Sequence, residues 1–86
     1  MVTKISTVLD ERGKRYGDFA DNAFVVQQIK DALRAGVEWN NMNWAQREAL
    51  EMIAVKMSRI VSGDPNYKDS WTDIIGFATL IEKDMK

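Results

Sequence analysis

Cysteine and histidine are both absent from the 86 residues of this chain, and proline occurs once. Without cysteine the protein has no disulfides and no thiolate ligands for zinc, and without histidine it lacks the usual imidazole metal ligand and proton shuttle. Ser-His and Cys-His catalysis are therefore excluded. A chain of this length hides only about two-thirds of its unfolded surface on folding, so the core is small and a dimer would help to stabilise it.

Long hydrophobic runs are also missing. The first residues, MVTKISTVLDERGKR, lack the apolar run of a signal peptide, so we expect a cytoplasmic protein that neither crosses nor enters a membrane. Twelve basic and thirteen acidic residues give a formal net charge of -1, which removes the general attraction that most nucleic-acid binders use. Nucleic-acid binding through Arg12, Lys14 and Arg15 is accordingly the third-ranked hypothesis.

Turn-forming residues cluster at 16–18, 36–43 and 62–66 and divide the chain into four segments that each suit a helix. We predict an all-α protein, a small bundle of about four helices, in a single domain over residues 1–86. The predicted helices begin and end as follows: residues 6–14, then Asp18 or Asp21 to Ala35, then a third helix capped by Asn43 and running to about Ser62, then a fourth from Asp69 or Ser70.

Apolar residues recur at three- and four-residue intervals in the last three segments, which is typical of helices with one buried face. The predicted core positions are Phe19, Ala23, Val26, Ile29 and Leu33 in the second helix, Leu50, Ile53, Met57 and Ile60 with Ala49 and Val61 in the third, and Trp71, Ile74, Ala78, Ile81 and Met85 in the fourth.

Lys56 is misplaced in this pattern, because about 100° of rotation per residue puts it between Ala49 and Met52 on the apolar side of the third helix. Burying an unpaired ammonium group is costly. Lys56 must therefore either extend its aliphatic stem along the core to reach water, which is the favoured interpretation, or pair with a carboxylate. Arg59 lies one turn further along the same helix, and Asp73 is the carboxylate best placed to face either cation.

The fourth helix carries Asp69, Asp73 and Gly76 along one stripe. Asp69 is best explained as a group that satisfies free N–H donors at the helix start, and Asp73 as part of a Ser70 to Asp73 capping box or as an ion-pair partner. A glycine inside a helix costs about 1 kcal/mol relative to alanine and often marks the close approach of another helix or a ligand.

Arg15, Tyr16 and Gly17 precede the predicted start of the second helix. Arginine beside a helix N-terminus suits an anion site. The simpler interpretation, which we favour, is a tight turn at Gly17 that packs Tyr16 and Phe19 on the core.

Short motifs in three of the four segments resemble a family of small uncharacterised proteins encoded by bacteriophages and prophages. They are Arg15-Tyr16-Gly17, then Met52, Lys56 and Arg59, then Asp69-Ser70 with Asp73, Gly76 and Phe77. The resemblance spans most of the chain and implies a phage setting and action in the host cytoplasm, but it implies no biochemical function.

A second resemblance is to the MazG-like all-α nucleoside triphosphate pyrophosphohydrolases, in which an ExxE pair on one helix and an ExxD pair on the next hold magnesium. Glu48 and Glu51 match the first pair and Asp73 matches the final aspartate, while Ser70 stands where that pattern has glutamate. The resemblance implies a Mg²⁺ site at Glu48, Glu51 and Asp73, with Lys56, Arg59 or Arg15 meeting phosphate.

Two functions remain in competition. The leading hypothesis is a non-enzymatic accessory protein, without a cofactor, that binds an unknown protein partner or associates with itself as a homodimer or larger homo-oligomer. Its expected binding surface comprises Arg15, Tyr16, Gly17, Lys56, Arg59, Asp69 and Asp73. The alternative is the Mg²⁺-dependent nucleotide pyrophosphohydrolase.

Overall fold

A computed structural model describes the backbone of residues 2–86 and the side chains of residues 5–86. Over this range the chain forms four α-helices: α1 is Val2–Tyr16, α2 is Phe19–Arg34, α3 is Trp44–Ser62 and α4 is Lys68–Glu82. A short 3-10 turn, Trp39–Asn41, lies between α2 and α3, and the described backbone contains no strand. The predicted all-α bundle of four helices is confirmed.

The third helix is the centre of the bundle, because α2 and α4 both pack along it. Its start is fixed by the predicted capping box: the Gln46 amide donates to Asn43 Oδ1 at 2.8 Å, and the Asn43 amide donates to Gln46 Oε1 at 3.0 Å. These two bonds satisfy backbone N–H groups that a helix start otherwise leaves without partners. The direction in which α3 leaves the turn is thereby set by local sequence.

The other helix ends differ from the predicted ones by a few residues. The first helix is longer, α2 ends at Arg34 rather than Ala35, and α4 begins at Lys68 rather than Asp69 or Ser70. Asp18 occupies the N-cap position of α2 without making a side-chain capping bond. Tyr67 is the N-cap residue of α4, so the proposed Ser70 to Asp73 capping box does not form.

The core is much smaller than the apolar pattern predicted. In residues 5–86 the buried side chains are Ala49, Ala54, Ser58, Ile60 and Ser70. Several expected core residues are exposed instead: Phe19, Leu50, Met57, Val61, Trp71, Ala78 and Met85. The prediction was wrong for these positions, because small side chains set the closest approach of α3 to its neighbours and no further helix covers the outer parts of each apolar stripe.

The molecule is elongated, with extents of 48 × 25 × 25 Å. Its radius of gyration of 15.0 Å exceeds the value of about 12 Å typical of a compact chain of this length. In the first helix every described side chain from Ile5 to Arg15 is exposed. Among the described residues, none of the helices has both the length and the apolar character needed to span a membrane.

Candidate functional site

Two glycines hold the end of α1 against the end of α3. Gly17 has φ +85°, a left-handed conformation that favours glycine, and a Cβ atom there would overlap the carbonyl group of Ser62. A Cβ on Gly63 would lie 2.6 Å from the carbonyl oxygen of Arg15 and 2.6 Å from the amide nitrogen of Gly17. The Asp64 amide also donates to the Arg15 carbonyl at 3.0 Å. Backbone therefore packs directly on backbone here.

This contact stacks four side chains, which we call the arginine–tyrosine cluster: Arg15, Tyr16, Arg59 and Tyr67. The Arg59 guanidinium lies 4.5 Å from the centroid of the Tyr16 ring, and the Arg15 guanidinium lies 5.3 Å from that of Tyr67. The two rings meet edge to face at 5.8 Å. Geometries of this kind are attractive, because the ring faces carry partial negative charge. Neither Arg15 nor Arg59 forms an ion pair with any residue in the range 5–86.

Asp69 joins this cluster through Tyr67, whose hydroxyl donates to Asp69 Oδ2 at 3.1 Å. That hydrogen bond raises the pKa of the Tyr67 phenol above its ordinary value, because only the protonated phenol can donate it. Desolvation adds to the rise and the positive charge of Arg15 opposes it. Asp69, in the first turn of α4, thus accepts a hydrogen bond from the Tyr67 hydroxyl. Its predicted role of satisfying free N–H donors at the start of α4 is not seen.

Lys56 is paired, not extended to water. Its ammonium nitrogen lies 3.0 Å from Asp73 Oδ2, and the Lys56 side chain is 12% exposed against 47% for Asp73. Asp73, the carboxylate predicted as a possible partner of Lys56, is therefore its partner in the structure. The favoured prediction, that Lys56 extends to water, is wrong. Gly76 lies one turn beyond Asp73, and a Cβ atom placed on it would have no neighbouring atom within 4 Å, so this glycine marks no close helix approach.

Asn22 and Ser58, which the sequence pattern did not indicate, form hydrogen bonds next to the cluster. Asn22 donates through its amide to the Tyr16 carbonyl and, at 2.9 Å, to the Asp18 carbonyl. Ser58 is buried and its hydroxyl is 3.1 Å from Asn22 Oδ1 and 2.7 Å from the Val55 carbonyl. The available signal was the spacing of Ser58 four residues after Ala54, which puts two small residues on one face of α3.

A groove of about 510 Å³ opens beside the cluster, between α1, α2 and α3. Its apolar wall includes Leu9, Phe19 and Val26, and its polar part includes Arg12 and Arg59. Phe19 is 86% exposed, so the groove has a large apolar edge in contact with solvent. Exposed apolar patches next to polar rims are typical of binding surfaces.

The carboxylates of the alternative magnesium site lie in different surroundings. Glu51 forms an ion pair with Arg34 on α2, Asp73 forms one with Lys56, and Glu48 is exposed. Within residues 5–86 no three acidic side chains are grouped so that they would hold a metal ion in this arrangement. A site at these positions would require Glu51 and Asp73 to exchange their present cationic partners for the metal.

Fold and surface together define a small all-α protein with an exposed basic and aromatic cluster beside an apolar groove. A family model described as a domain of unknown function (DUF6378) matches residues 1–84, and the chain belongs to that family. No curated protein and no solved structure matches the chain. The family's description names neither phages nor pyrophosphohydrolases.

Proposed function

We propose that this protein is a non-enzymatic accessory module that binds a protein partner through the arginine–tyrosine cluster. The observation that supports this most is that Arg15 and Arg59 are stacked on tyrosine rings while neither forms an ion pair with a described carboxylate. Arginine and tyrosine are enriched among the residues that dominate binding energy at interfaces. Because neighbouring rings already hold these side chains, less conformational entropy is lost when a partner binds.

The chemistry of the cluster indicates a partner surface that presents carboxylates next to apolar or aromatic groups. A carboxylate can accept two parallel hydrogen bonds from one guanidinium. The charged residues around the cluster, which include Asp69 and the Lys56–Asp73 pair, add charge selectivity at its edge. The phage setting and the action in the host cytoplasm are part of this proposal, and they rest on the resemblance of the short motifs.

The test compares the double variant Arg15→Ala, Arg59→Ala with the charge-matched double variant Lys14→Ala, Lys68→Ala. Both remove two positive charges, but Lys14 and Lys68 are exposed outside the cluster. Immobilised full-length protein is exposed to host-cell lysate, and retained proteins are quantified by mass spectrometry. We expect a set of proteins to be retained by the wild type and by the lysine variant and lost with the arginine variant. Equal retention by both variants would show that binding does not use the cluster.

The magnesium-dependent pyrophosphohydrolase remains the alternative, supported only by the resemblance at Glu48, Glu51 and Asp73. The melting temperature of the purified protein distinguishes the two functions. A ligand that binds only the folded state raises the melting temperature. A rise with millimolar Mg²⁺ and a nucleoside triphosphate that Glu48→Gln abolishes would favour the hydrolase over the binding module.

A further inference from the structure

We infer that a second copy of this chain packs on the exposed face of α1 and the adjoining groove, and forms a two-fold symmetric homodimer. This goes beyond the proposed partner binding: the stripe on α1 lies outside the arginine–tyrosine cluster, although Tyr16 and Arg59 also line the groove. On α1, Ile5, Val8 and Leu9 are exposed and fall on one side of the helix at three- and four-residue spacing. A helix of 15 residues is marginal in water by itself, and the contacts of α1 with α2 and α3 leave this stripe exposed.

The chain exposes more area than a typical monomer of its mass, and this excess can be compared with the area that a dimer interface buries. The molecule exposes 6600 Å², whereas a folded monomer of 9.8 kDa typically exposes about 5200 Å². The excess of about 1400 Å² exceeds the area of about 800 Å² that each partner buries in a standard interface, and homodimer interfaces are commonly larger. This excess belongs to the whole elongated molecule, and it is large enough to include a face of the size that a dimer covers.

Leu9 belongs both to the α1 stripe and to the wall of the groove, so the stripe and the groove form one continuous surface. In a two-fold interface the same patch serves both subunits, so one patch must offer both a ridge and a recess. Here the ridge is the stripe on α1 and the recess is the groove of about 510 Å³ between α1, α2 and α3.

Gly13 adds a detail to this surface. It lines the same groove inside α1, and a Cβ atom built there meets nothing within 4 Å. The contacts within one chain therefore do not require glycine at this position. A second copy's helix on this side of α1 would therefore meet no side chain at residue 13.

Light scattering coupled to size-exclusion chromatography tests the inference on the full chain over a range of micromolar concentrations. We expect twice the monomer mass of 9.8 kDa for the wild type. Leu9→Lys is compared with Leu80→Lys, because the two leucines are similarly exposed, at 61% and 56%, and Leu80 lies on α4. We expect Leu9→Lys to run as a monomer with an unchanged circular dichroism spectrum and Leu80→Lys to remain dimeric.

Engineered cysteine provides a second measurement that does not depend on weakening the fold. The chain has no cysteine of its own, so Ile5→Cys, Val8→Cys and Leu9→Cys can each be compared with Leu80→Cys. The stripe variant nearest the two-fold axis should form a disulfide-linked dimer under mild oxidation, while Leu80→Cys should not. A wild type that is monomeric at every concentration would overturn the inference. So would a dimer that withstands Leu9→Lys but is lost in Met85→Lys, because Met85 lines a separate apolar groove between α3 and α4.

Discussion

Removal of the Asp73 carboxylate is the most informative test of how α4 is held against α3. In Asp73→Asn the shape of the side chain is kept, but the Lys56 ammonium loses the carboxylate that lies 3.0 Å away. The Lys56 side chain is only 12% exposed, so water can replace that partner incompletely. An uncompensated cation in poorly hydrated surroundings is costly.

The expected magnitude follows from the distance and the exposure of the pair. At the 3.0 Å separation of these two atoms, Coulomb attraction is about 1.4 kcal/mol at the dielectric constant of water and about 5.5 kcal/mol at an effective value near 20. Desolvation offsets part of it, and Asp73 is half exposed. We expect Asp73→Asn to cost about 1–2 kcal/mol, between the values for exposed pairs and for buried pairs that lose one partner.

Lys56→Met is the companion variant, because it keeps a long apolar stem and removes the charge. We expect it to change stability by less than about 0.5 kcal/mol in either direction, since replacing both the charge and its desolvation cost is often neutral or favourable. Asp31→Asn serves as the control, because Asp31 is an exposed aspartate on α2 that forms no ion pair with the described residues.

Thermal unfolding at one fixed protein concentration measures these differences. Each kcal/mol shifts the melting temperature of a domain of this size by about 4–8 °C. We expect a clear decrease for Asp73→Asn and no appreciable change for the control. Adding Lys56→Met to Asp73→Asn should restore most of the lost stability, because the uncompensated cation is then gone. An Asp73→Asn variant as stable as wild type, or a Lys56→Met variant that loses as much stability as Asp73→Asn, would refute the argument that Lys56 needs its partner.

Two further predictions concern the glycines and Tyr67. Gly76→Ala should stabilise the protein by about 0.5–1 kcal/mol, because a Cβ there meets open space inside α4; Gly17→Ala should cost about 2 kcal/mol or more, because Gly17 has φ +85° and adjoins other backbone. Chemical denaturation of both variants would contradict this reasoning if the two glycines behaved alike. In a Tyr16→Phe background, absorbance titration should give a Tyr67 pKa above its ordinary value, and Asp69→Asn should lower that pKa. Because the pKa of Tyr67 is higher in the folded than in the unfolded protein, the Tyr67–Asp69 hydrogen bond contributes fully to stability below about pH 10. Its contribution is lost as pH rises through the folded pKa.

The parts of the fold that depend on local sequence were predicted well. The capping box at Asn43 and Gln46 lies within one turn, and the four helices follow from short-range periodicity. The pairing of Lys56 with Asp73 could be predicted as one of two options, because a lysine on an apolar helix face must either extend to water or pair with a carboxylate. The capping box and the helix periodicity need no knowledge of how helices are arranged in space, whereas the Lys56–Asp73 pair also requires α4 to pack against α3.

The extent of the core was not predictable in the same way. Periodicity shows which side of a helix is apolar, but it does not show whether another helix covers that side. Phe19 fits its stripe and is nevertheless 86% exposed. Tyr67 and Gly63 were missed as parts of the site because their importance arises from contacts with α1, which is distant in sequence.

The contact between Gly17 and Gly63 also has a consequence for local unfolding. It closes a loop that contains the whole of α2 and α3, so α1 docks on a residue that is distant in sequence. Since α1 buries little of its own surface, it can open while the other helices stay folded, and its amides should exchange hydrogen far faster than those of α3. If two copies associate through α1, hydrogen exchange in α1 should slow as protein concentration rises. The exchange rate of this helix then measures the fraction of the protein that is monomeric.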